Sequence, residues 1–563
     1  MVCHQFECSI NKVSNVQKLI LVGGAAGAGV ARTSVLIGKT FTRLGYYVFN
    51  YRDYPSLIAG GHNFNVLKIS DKPVYSHETF CDVIIALDQE TIDRHEKQLN
   101  TDGFVLGDKS LSTKNLVGVD VGSIIKKLSV RKVFGNNVLI GSLLKLFGLP
   151  IDPFLEVIEE QIRKKAEIVK ESAREGYNAV EQRTRLFEAN GGKKYFLTGN
   201  QAASSGAIAS GLDVYIAYPI TPATPVLHFL AARQLKHNFL VAQLENEIAV
   251  INAALGASYA GAMTMVGTSG AGFSLMAEAM SLQGISEVPL VLYLGQRTGP
   301  ATGVPTYTAQ GDLKFALNAG HGEFPRVVIA PGDPKEAFYR VMEAFYLAYK
   351  YRVLCIVLSD KHLGESTFTL DGFEEPLVKP SRFIVEKPST EYKSYLMTEN
   401  GVSPRAVPGQ GAFVRAASYE HDDYGYTTED PEWVVKMNEK RLGKIEYLKQ
   451  EIDKLNPVTV YGEGRNLIVG WGSTKGAILD TMRELDDFRF LQVSYLSPFP
   501  TDRVRKEVEA SDNVVLVENN LTGLLGQVIA ENTGYFIKNK VLKYDARAFT
   551  SHELVNEVRK VIE

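Results

Sequence analysis

No charged residue occurs between Glu247 and Glu278. A run of that length could cross a bilayer, which takes about 20 consecutive apolar residues. This one, however, is made largely of Gly, Ala, Ser and Thr, holds Asn252, and is broken by Gly267-Thr268-Ser269-Gly270-Ala271-Gly272. Such a glycine cluster punctuates a chain. The pattern predicts a small-residue helix over about 247–261, a buried strand over about 263–268, a Gly-rich turn, and a second helix over about 273–284. Two buried helices beside a buried strand, the first opening on a carboxylate, describe the floor of a site rather than a membrane span.

The flanks of this run carry the other candidate groups. Tyr218-Pro219-Ile220-Thr221-Pro222 follows the expected strand Val214–Ala217. Each proline fixes its own φ and restricts its predecessor, so the loop is held extended and offers the Thr221 hydroxyl. A loop at the carboxyl end of a strand is where open α/β sheets bind ligands. Glu247 opens the uncharged helix, where desolvation favours a carboxyl that shares its proton with a ring nitrogen; a plain helix-start carboxylate, favoured by the dipole, is the alternative. Glu245, two positions earlier, reads as a cap or surface residue. Arg297 follows the apolar strand Pro289–Leu294. A guanidinium there can hold a carboxylate at two points, which lysine cannot, although an interfacial ion pair would also use it.

At 563 residues the chain is too long for one core, and three domains are expected. The hydrophobic share of 45% and the charged share of 22% are ordinary for a globular protein. Its net charge of −3 gives no basic excess for nucleic acid. Four cysteines, Cys3, Cys8, Cys81 and Cys355, include no CxxC pair. Neither a zinc nor an iron–sulfur site is therefore expected from this chain, and no metal ligands are assigned. Cys3 and Cys8 flank His4, but reduced thiols in a frayed terminus are the simpler reading. No basic-then-apolar leader opens the sequence, and a reducing cytoplasm is expected.

Lys18–Val22 reads as a strand, Gly23-Gly24-Ala25-Ala26-Gly27-Ala28-Gly29 as a turn, and the residues to Leu44 as a helix, with Tyr46–Asn50 a second strand. Such a turn offers N–H groups to an anion, but its G-x-x-G-x-G spacing is not the dinucleotide fingerprint, and Asp53 is not assigned as a ribose acid. Tyr54 through Asn63 form a loop containing Gly60, Gly61 and His62. Residues 150–190 are charged and helical in pattern, including a basic run at Arg163-Lys164-Lys165, and Glu188–Lys194 is a linker. A less regular connector is expected from 370 to 460, where Glu420-His421-Asp422-Asp423 reads as a solvated loop. A further α/β unit begins at Asn466.

Taken in order, Tyr218–Pro222, Glu245–Ala249, Thr268–Met276, Gly299–Thr306 and Gly320-His321-Gly322-Glu323-Phe324-Pro325 resemble the 2-oxoacid:ferredoxin oxidoreductases, specifically their large subunit with a γ-type domain fused ahead of an α-type domain. The resemblance implies an α/β protein of three domains, each a mainly parallel sheet with flanking helices. These are a γ-type domain at 1–188, a thiamine-pyrimidine-type domain at 195–370 and, after a connector at 371–460, a transketolase C-terminal-like domain at 461–563. It implies coenzyme A-dependent oxidative decarboxylation of 2-oxoacids, pyruvate or 2-oxoglutarate, to acyl-CoA and CO2 with reduction of ferredoxin. In that family Glu247 would bond the aminopyrimidine of thiamine diphosphate, Thr221 and Arg297 would bind the 2-oxoacid, and Thr306 would help shape the pocket. Gly24, Gly27, Gly29, Gly60, Gly61 and His62 become candidates for coenzyme A. The sequence has no Gly-Asp-Gly segment, so a partner β subunit is expected to bring the diphosphate–Mg2+ site and the iron–sulfur cluster, in a heterodimer or a dimer of heterodimers.

Ala59, Gln201, Tyr307 and Ala309 stand where the family usually carries charged residues. A non-redox transketolase-like thiamine lyase or transferase stays open as a first rival reading, and these departures give weight to a second, a non-catalytic paralogue that scaffolds a β-type chain. The first would need no cluster in its partner; the second would not need Thr221, Glu247 and Arg297.

Overall fold

The computed structural model describes residues 17–56, 60–162, 165–189, 191–192 and 194–562. Cys3, His4, Cys8, Ala59 and the Arg163-Lys164 pair of the basic run lie outside the described residues. Three sheets flanked by helices make up the rest, in the α/β class that the sequence implies.

The first sheet has eight strands, in the order Leu116–Val119, Leu99–Asp108, Cys81–Ala86, Gln17–Ala25, His62–Ser70, Tyr47–Asp53, Thr367–Leu370 and Tyr195–Thr198. The pairings as far as Gln17–Ala25 are parallel, and every later one is antiparallel. This sheet is therefore mixed, which corrects the expectation that each sheet is mainly parallel. Its last two strands come from the two ends of the 195–370 segment. Phe368 pairs with Phe49 in the ladder, and their rings meet edge-on at 4.8 Å.

The second sheet runs Tyr495–Ser497, Arg326–Ile329, Leu354–Asp360, Leu290–Gln296, Thr264–Thr268, Val214–Ala217, Leu240–Gln243. All its pairings are parallel except that of Tyr495–Ser497, which arrives from the C-terminal segment. Strands Thr264–Thr268 and Leu290–Gln296 are buried throughout, as fits a sheet covered on both faces. The chain leaves Val214–Ala217 for the edge strand and leaves Thr264–Thr268 in the opposite direction. The gap between their carboxyl ends is thus a topological switch point, where such sheets bind ligands. In the third sheet, the order is Val458–Tyr461, Phe488–Val493, Asn466–Gly470, Asn513–Glu518, Asn539–Leu542, with only the first pairing antiparallel.

The uncharged run folds as a helix at Glu247–Tyr259, a strand at Thr264–Thr268 and a helix at Gly270–Ser286. The second helix starts three residues before the expected position, so that Gly270 and Gly272 lie in its first turn while Gly267 lies in the strand. Asn246 caps the first helix by accepting from the Ala249 N–H at 2.9 Å, a side-chain cap of the usual kind. Glu245 is exposed and makes no cap.

The expected irregular connector contains a 23-residue helix, Pro431–Asp453. Its buried positions, Met437, Lys440, Arg441, Lys444, Leu448 and Ile452, keep helical spacing, but half are basic. Lys440 and Lys444 both donate to the buried carboxylate of Glu287. The acidic stretch before it is not a solvated loop either. His421 is fully buried with its ring centre 3.7 Å from that of Tyr395, Glu420 pairs with Arg441, and Asp423 accepts from Lys393 at 2.6 Å. Buried charges persist only when paired, and these are.

Candidate active site

Three segments converge at the switch point. The loop Tyr218–Pro222 leaves strand Val214–Ala217 and is anchored from behind by Asn200. The Asn200 amide donates to the Pro222 carbonyl at 3.0 Å, and its own oxygen accepts from the Tyr293 hydroxyl at 2.7 Å. In front, Arg297 donates from Nη1 to the Thr221 carbonyl at 2.9 Å. Thr221 and Arg297, predicted separately, are therefore in contact. The chain after Arg297 folds back on itself: Thr298 N–H donates to the Tyr307 carbonyl at 3.2 Å and Thr298 Oγ1 to the Thr308 carbonyl at 3.0 Å. Thr306 lies on this fold at 5% exposure, and among the described residues its hydroxyl has no hydrogen-bond partner.

Glu247 approaches from the next helix. It is 6% exposed, and among the described residues its carboxylate takes no hydrogen bond. A Cβ on Gly272 would collide with Glu247 Oε1 and Thr268 Oγ1, so only glycine admits the carboxylate against this helix start. Two positions earlier, a Cβ on Gly270 would stand 2.8 Å from Asp312 Oδ2. Residues two apart in a helix face different sides, so two carboxylates lie on different sides of one helix start. Burial pushes the Asp312 carboxyl up to about 6, with Arg297 pulling the other way, as desolvation and an opposite charge should. Burial likewise lowers the Arg297 guanidinium from its usual value, opposed by Asp312. Asp312 and Asn200 were not singled out from the sequence as site residues. Both contacts join segments far apart in the chain, and neither residue carries a local motif that would mark it.

The glycine candidates of the first domain come together at one end of its sheet. Ala26 N–H donates to the Gly61 carbonyl at 3.0 Å, which docks the turn after strand Gln17–Ala25 onto the Gly60-Gly61 loop. Gly27 and Gly29 both adopt φ of +89°, and Gly60 and Gly61 take +80° and +85°, values that side chains disfavour. Gly24 differs: a Cβ there would meet Leu87 at 3.0 Å, so its role is close packing. His62 Nε2 lies 2.8 Å from His95 Nε2, and His95 Nδ1 lies 2.8 Å from Gln98 Oε1. The Gln98 oxygen accepts from His95 Nδ1, which leaves His95 Nε2 to accept from His62. Burial lowers both imidazoles, helped at His62 by its neighbour, so the pair stays neutral.

This end of the first sheet also touches the active-site loop. Tyr307 donates to Asp53 Oδ1 at 2.8 Å, while Asp53 Oδ2 accepts from Tyr51 at 3.1 Å. Asp53 thus holds a tyrosine of the central domain. Beyond Tyr307, Gln310 is buried and bonded on every side to the third domain, donating to the carbonyls of Trp471 at 2.8 Å and Asn519 at 2.7 Å.

Comparison with known proteins places this geometry. Residues 205–440 match the family model described as pyruvate flavodoxin/ferredoxin oxidoreductase, thiamine diP-binding, and residues 19–179 match that of pyruvate ferredoxin/flavodoxin oxidoreductase. The 2-oxoacid:ferredoxin oxidoreductase subunit alpha of Sulfolobus sp is 34% identical, over 96% of this chain and 96% of that one. The chain belongs to the 2-oxoacid:ferredoxin oxidoreductase family. Within this oxidoreductase family, the 2-oxoglutarate synthase subunit KorA of Archaeoglobus fulgidus is 34% identical, over 60% of this chain and 89% of that subunit. The solved 2-oxoglutarate:ferredoxin oxidoreductase from Magnetococcus marinus, with 2-oxoglutarate, coenzyme A and succinyl-CoA bound, superposes with a TM-score of 0.88 at 28% identity over 97% of this chain and 100% of that one. Against the family expectation of a charge at 201, the neutral Gln201 completes a reciprocal cap with Thr198. Its side-chain oxygen accepts from the Thr198 N–H at 3.1 Å, and its own N–H donates to Thr198 Oγ1 at 3.2 Å. Among the described residues no helix is long and apolar enough to cross a membrane.

Proposed function

We propose that this chain is the large subunit that binds the 2-oxoacid and the aminopyrimidine half of thiamine diphosphate in a coenzyme A-dependent, ferredoxin-reducing oxidative decarboxylase. The observation that carries the reading is the convergence at one switch point of an arginine bonded only to a backbone carbonyl, a buried threonine hydroxyl with no partner, and a buried carboxylate with no partner, all among the described residues.

Arg297 is able to exchange its contact with the Thr221 carbonyl for the two oxygens of a 2-oxoacid carboxylate. The Thr221 and Thr306 hydroxyls are placed to donate to the neighbouring keto oxygen. Glu247 offers a buried carboxyl suited to a ring nitrogen of an aminopyrimidine, and Gly272 lets that carboxyl lie against the helix start. When bound, thiamine diphosphate supplies the carbanion for the keto carbon and a sink for the electron pair that CO2 leaves behind. The first domain, 1–188, is the coenzyme A-facing domain, 195–370 the pyrimidine-type domain, and 461–563 the transketolase-like domain. The partner is a β-type chain with the diphosphate–Mg2+ site and an iron–sulfur cluster, in the cytoplasm, and electrons pass from it to ferredoxin. A covering partner agrees with the apolar side chains around Glu247 that stand open. Ile248 is 51% exposed, Leu275 50%, Val304 41% and Tyr218 40%.

The test is coenzyme A-dependent reduction of a one-electron dye by the complex of this chain with its co-purifying partner, using pyruvate and 2-oxoglutarate. Glu247→Gln is expected to abolish turnover while the complex still assembles, and near-normal turnover would refute the role given to Glu247. A wild-type complex that holds thiamine diphosphate but reduces no dye would replace this reading with a non-redox lyase. One that binds neither cofactor nor substrate would point to a scaffold.

A further inference from the structure

The contact between Tyr307 and Asp53 sits in a cluster whose charges do not cancel. Three cations, Arg52, Lys361 and Arg547, face two carboxylates, Asp53 and Glu365. The carboxylates are already occupied: Asp53 accepts from Tyr51 and Tyr307, and Glu365 from Tyr54 at 2.9 Å. Lys361 is 3% exposed and donates to the Arg52 carbonyl at 2.6 Å, with its ammonium 5.3 Å from the Tyr54 ring and 5.9 Å from the Tyr307 ring. Its amine is buried and held in place, and burial lowers it from its ordinary value against the pull of Glu365 and Asp53.

Among the described residues neither Arg52, which lies over the Tyr54 ring at 4.4 Å, nor Arg547 has a carboxylate within hydrogen-bond reach, and Arg547 is the more open of the two. Its guanidinium lies over the Tyr307 ring at 3.6 Å, with its side chain 44% exposed. The nearest carboxylate oxygen, Asp53 Oδ2, is 3.7 Å from Nε, beyond hydrogen-bond reach. The remaining contact is a long one of 3.5 Å to the Ala546 carbonyl. A guanidinium stacked flat on a ring keeps its N–H edge free for an anion. The backbone that presents it is held. Asp545 accepts from the Arg547 N–H at 2.9 Å, and Asn519 donates to the Arg547 carbonyl at 3.0 Å. The preceding Ala546 is kept at φ of +67°, a region non-glycine residues seldom occupy. Strain of this kind gathers at ligand clamps.

Resting on the proposed function, we infer that Arg547, stacked on Tyr307, receives a second anionic group of a reactant held at the active site, one with paired oxygens. Thr306, the neighbour of Tyr307, borders the 2-oxoacid pocket, and Asp53 ends a strand beside the glycine-rich elements, so the position is reached from both. Two sources share this chemistry: the distal carboxylate of a dicarboxylic 2-oxoacid, and a phosphate of coenzyme A.

Arg547→Ala in the assembled enzyme separates them. If the anion is the distal carboxylate, KM for 2-oxoglutarate rises about 10- to 100-fold, the loss expected for a charge-assisted hydrogen bond, while KM for pyruvate and for coenzyme A holds. If it is a phosphate, KM for coenzyme A rises by that factor and neither 2-oxoacid changes. A fall in kcat with all three KM values unchanged overturns the inference. The rise in Tm on adding 2-oxoglutarate, pyruvate or coenzyme A gives the same discrimination without turnover. A rise that is lost in the variant for one anion alone supports the subsite even in a complex that reduces no dye, and equal rises in wild type and variant refute it. Arg547→Lys is expected to recover the affinity only in part, since an ammonium lacks the fork.

Discussion

Glu247 and Asp312 show how much a single residue's neighbours decide. Both are carboxylates set against glycines of one helix start, and at Asp312 burial outweighs the opposing charge of Arg297. Its carboxyl is raised from the usual carboxylate range to about 6. Asp312 therefore holds a proton in the folded chain between about pH 4 and 6, where the unfolded chain has released it. Its contribution to stability is greatest at low pH and lost as pH rises through 6. Substrate binding follows the same sign. A 2-oxoacid carboxylate at Arg297 is repelled by ionised Asp312 and not by neutral Asp312, so KM for the 2-oxoacid is expected to fall as pH is lowered from 7 to 5. Steady-state kinetics of Asp312→Asn across that range should show a KM that no longer changes with pH; a slope equal to that of the wild type would exclude Asp312 as its source. Glu247, Thr221 and Arg297 could be singled out as candidates because each sits in a segment whose local chemistry marks it: an acid opening an uncharged helix, a hydroxyl between two prolines, a cation after an apolar strand. Asp312 and Asn200 carry no such local mark. Their roles depend on which distant residue the fold brings alongside.

At the scale of an element, the helix Pro431–Asp453 inverts the usual pattern. Sequence periodicity finds helices by their apolar stripe, and here Lys440, Arg441 and Lys444 occupy three of the six buried positions. The two lysines are buried because Glu287, at φ of +52° after the helix Gly270–Ser286, is buried opposite them, and Arg441 because it pairs with Glu420. Burial lowers the Lys444 ammonium to about 7, and Glu287 opposes that fall. Two lysines on one carboxylate hold this helix to the central domain, and removing the carboxylate leaves two buried amines without their acceptor. Glu287→Gln is expected to cost about 3–5 kcal/mol of stability, read as a lower Tm. A change within experimental error would mean that the ammonium groups reach water. Strands Val214–Ala217 and Thr264–Thr268, by contrast, were legible nearly to the residue, because a buried parallel strand is a continuous apolar run bounded by glycines and polar residues. The mixed character of the first sheet was not, since strand direction is set by partners that local sequence does not name.

Over the whole molecule, the active-site loop is braced from both neighbouring domains, by Asp53 on one side and by Gln310 on the other. The four backbone and side-chain contacts of Gln310 reach Trp471, Asn519 and Asn520 in the third domain. Gln310→Ala strands the Asn519 N–H, a loss of about 1–3 kcal/mol for a buried group left unpaired, while the Trp471 carbonyl keeps the Thr474 hydroxyl. Faster hydrogen exchange at 298–312 and around 519 is the expected signature, and unaltered exchange would show that the brace is redundant. Three α/β units were expected, and three sheets form; that the sheets draw strands from more than one of the expected segments was not legible.

The first sheet draws strands from both sides of the polar stretch at 188–194. Tyr195–Thr198 and Thr367–Leu370 close its edge at Tyr47–Asp53, so nicking the polypeptide at 189–194 severs a covalent bond and leaves the ladder whole. Fragments made separately would each bear an open strand edge, prone to capture other chains. Made together, they would find each other through that edge and behave as one subunit encoded in two pieces.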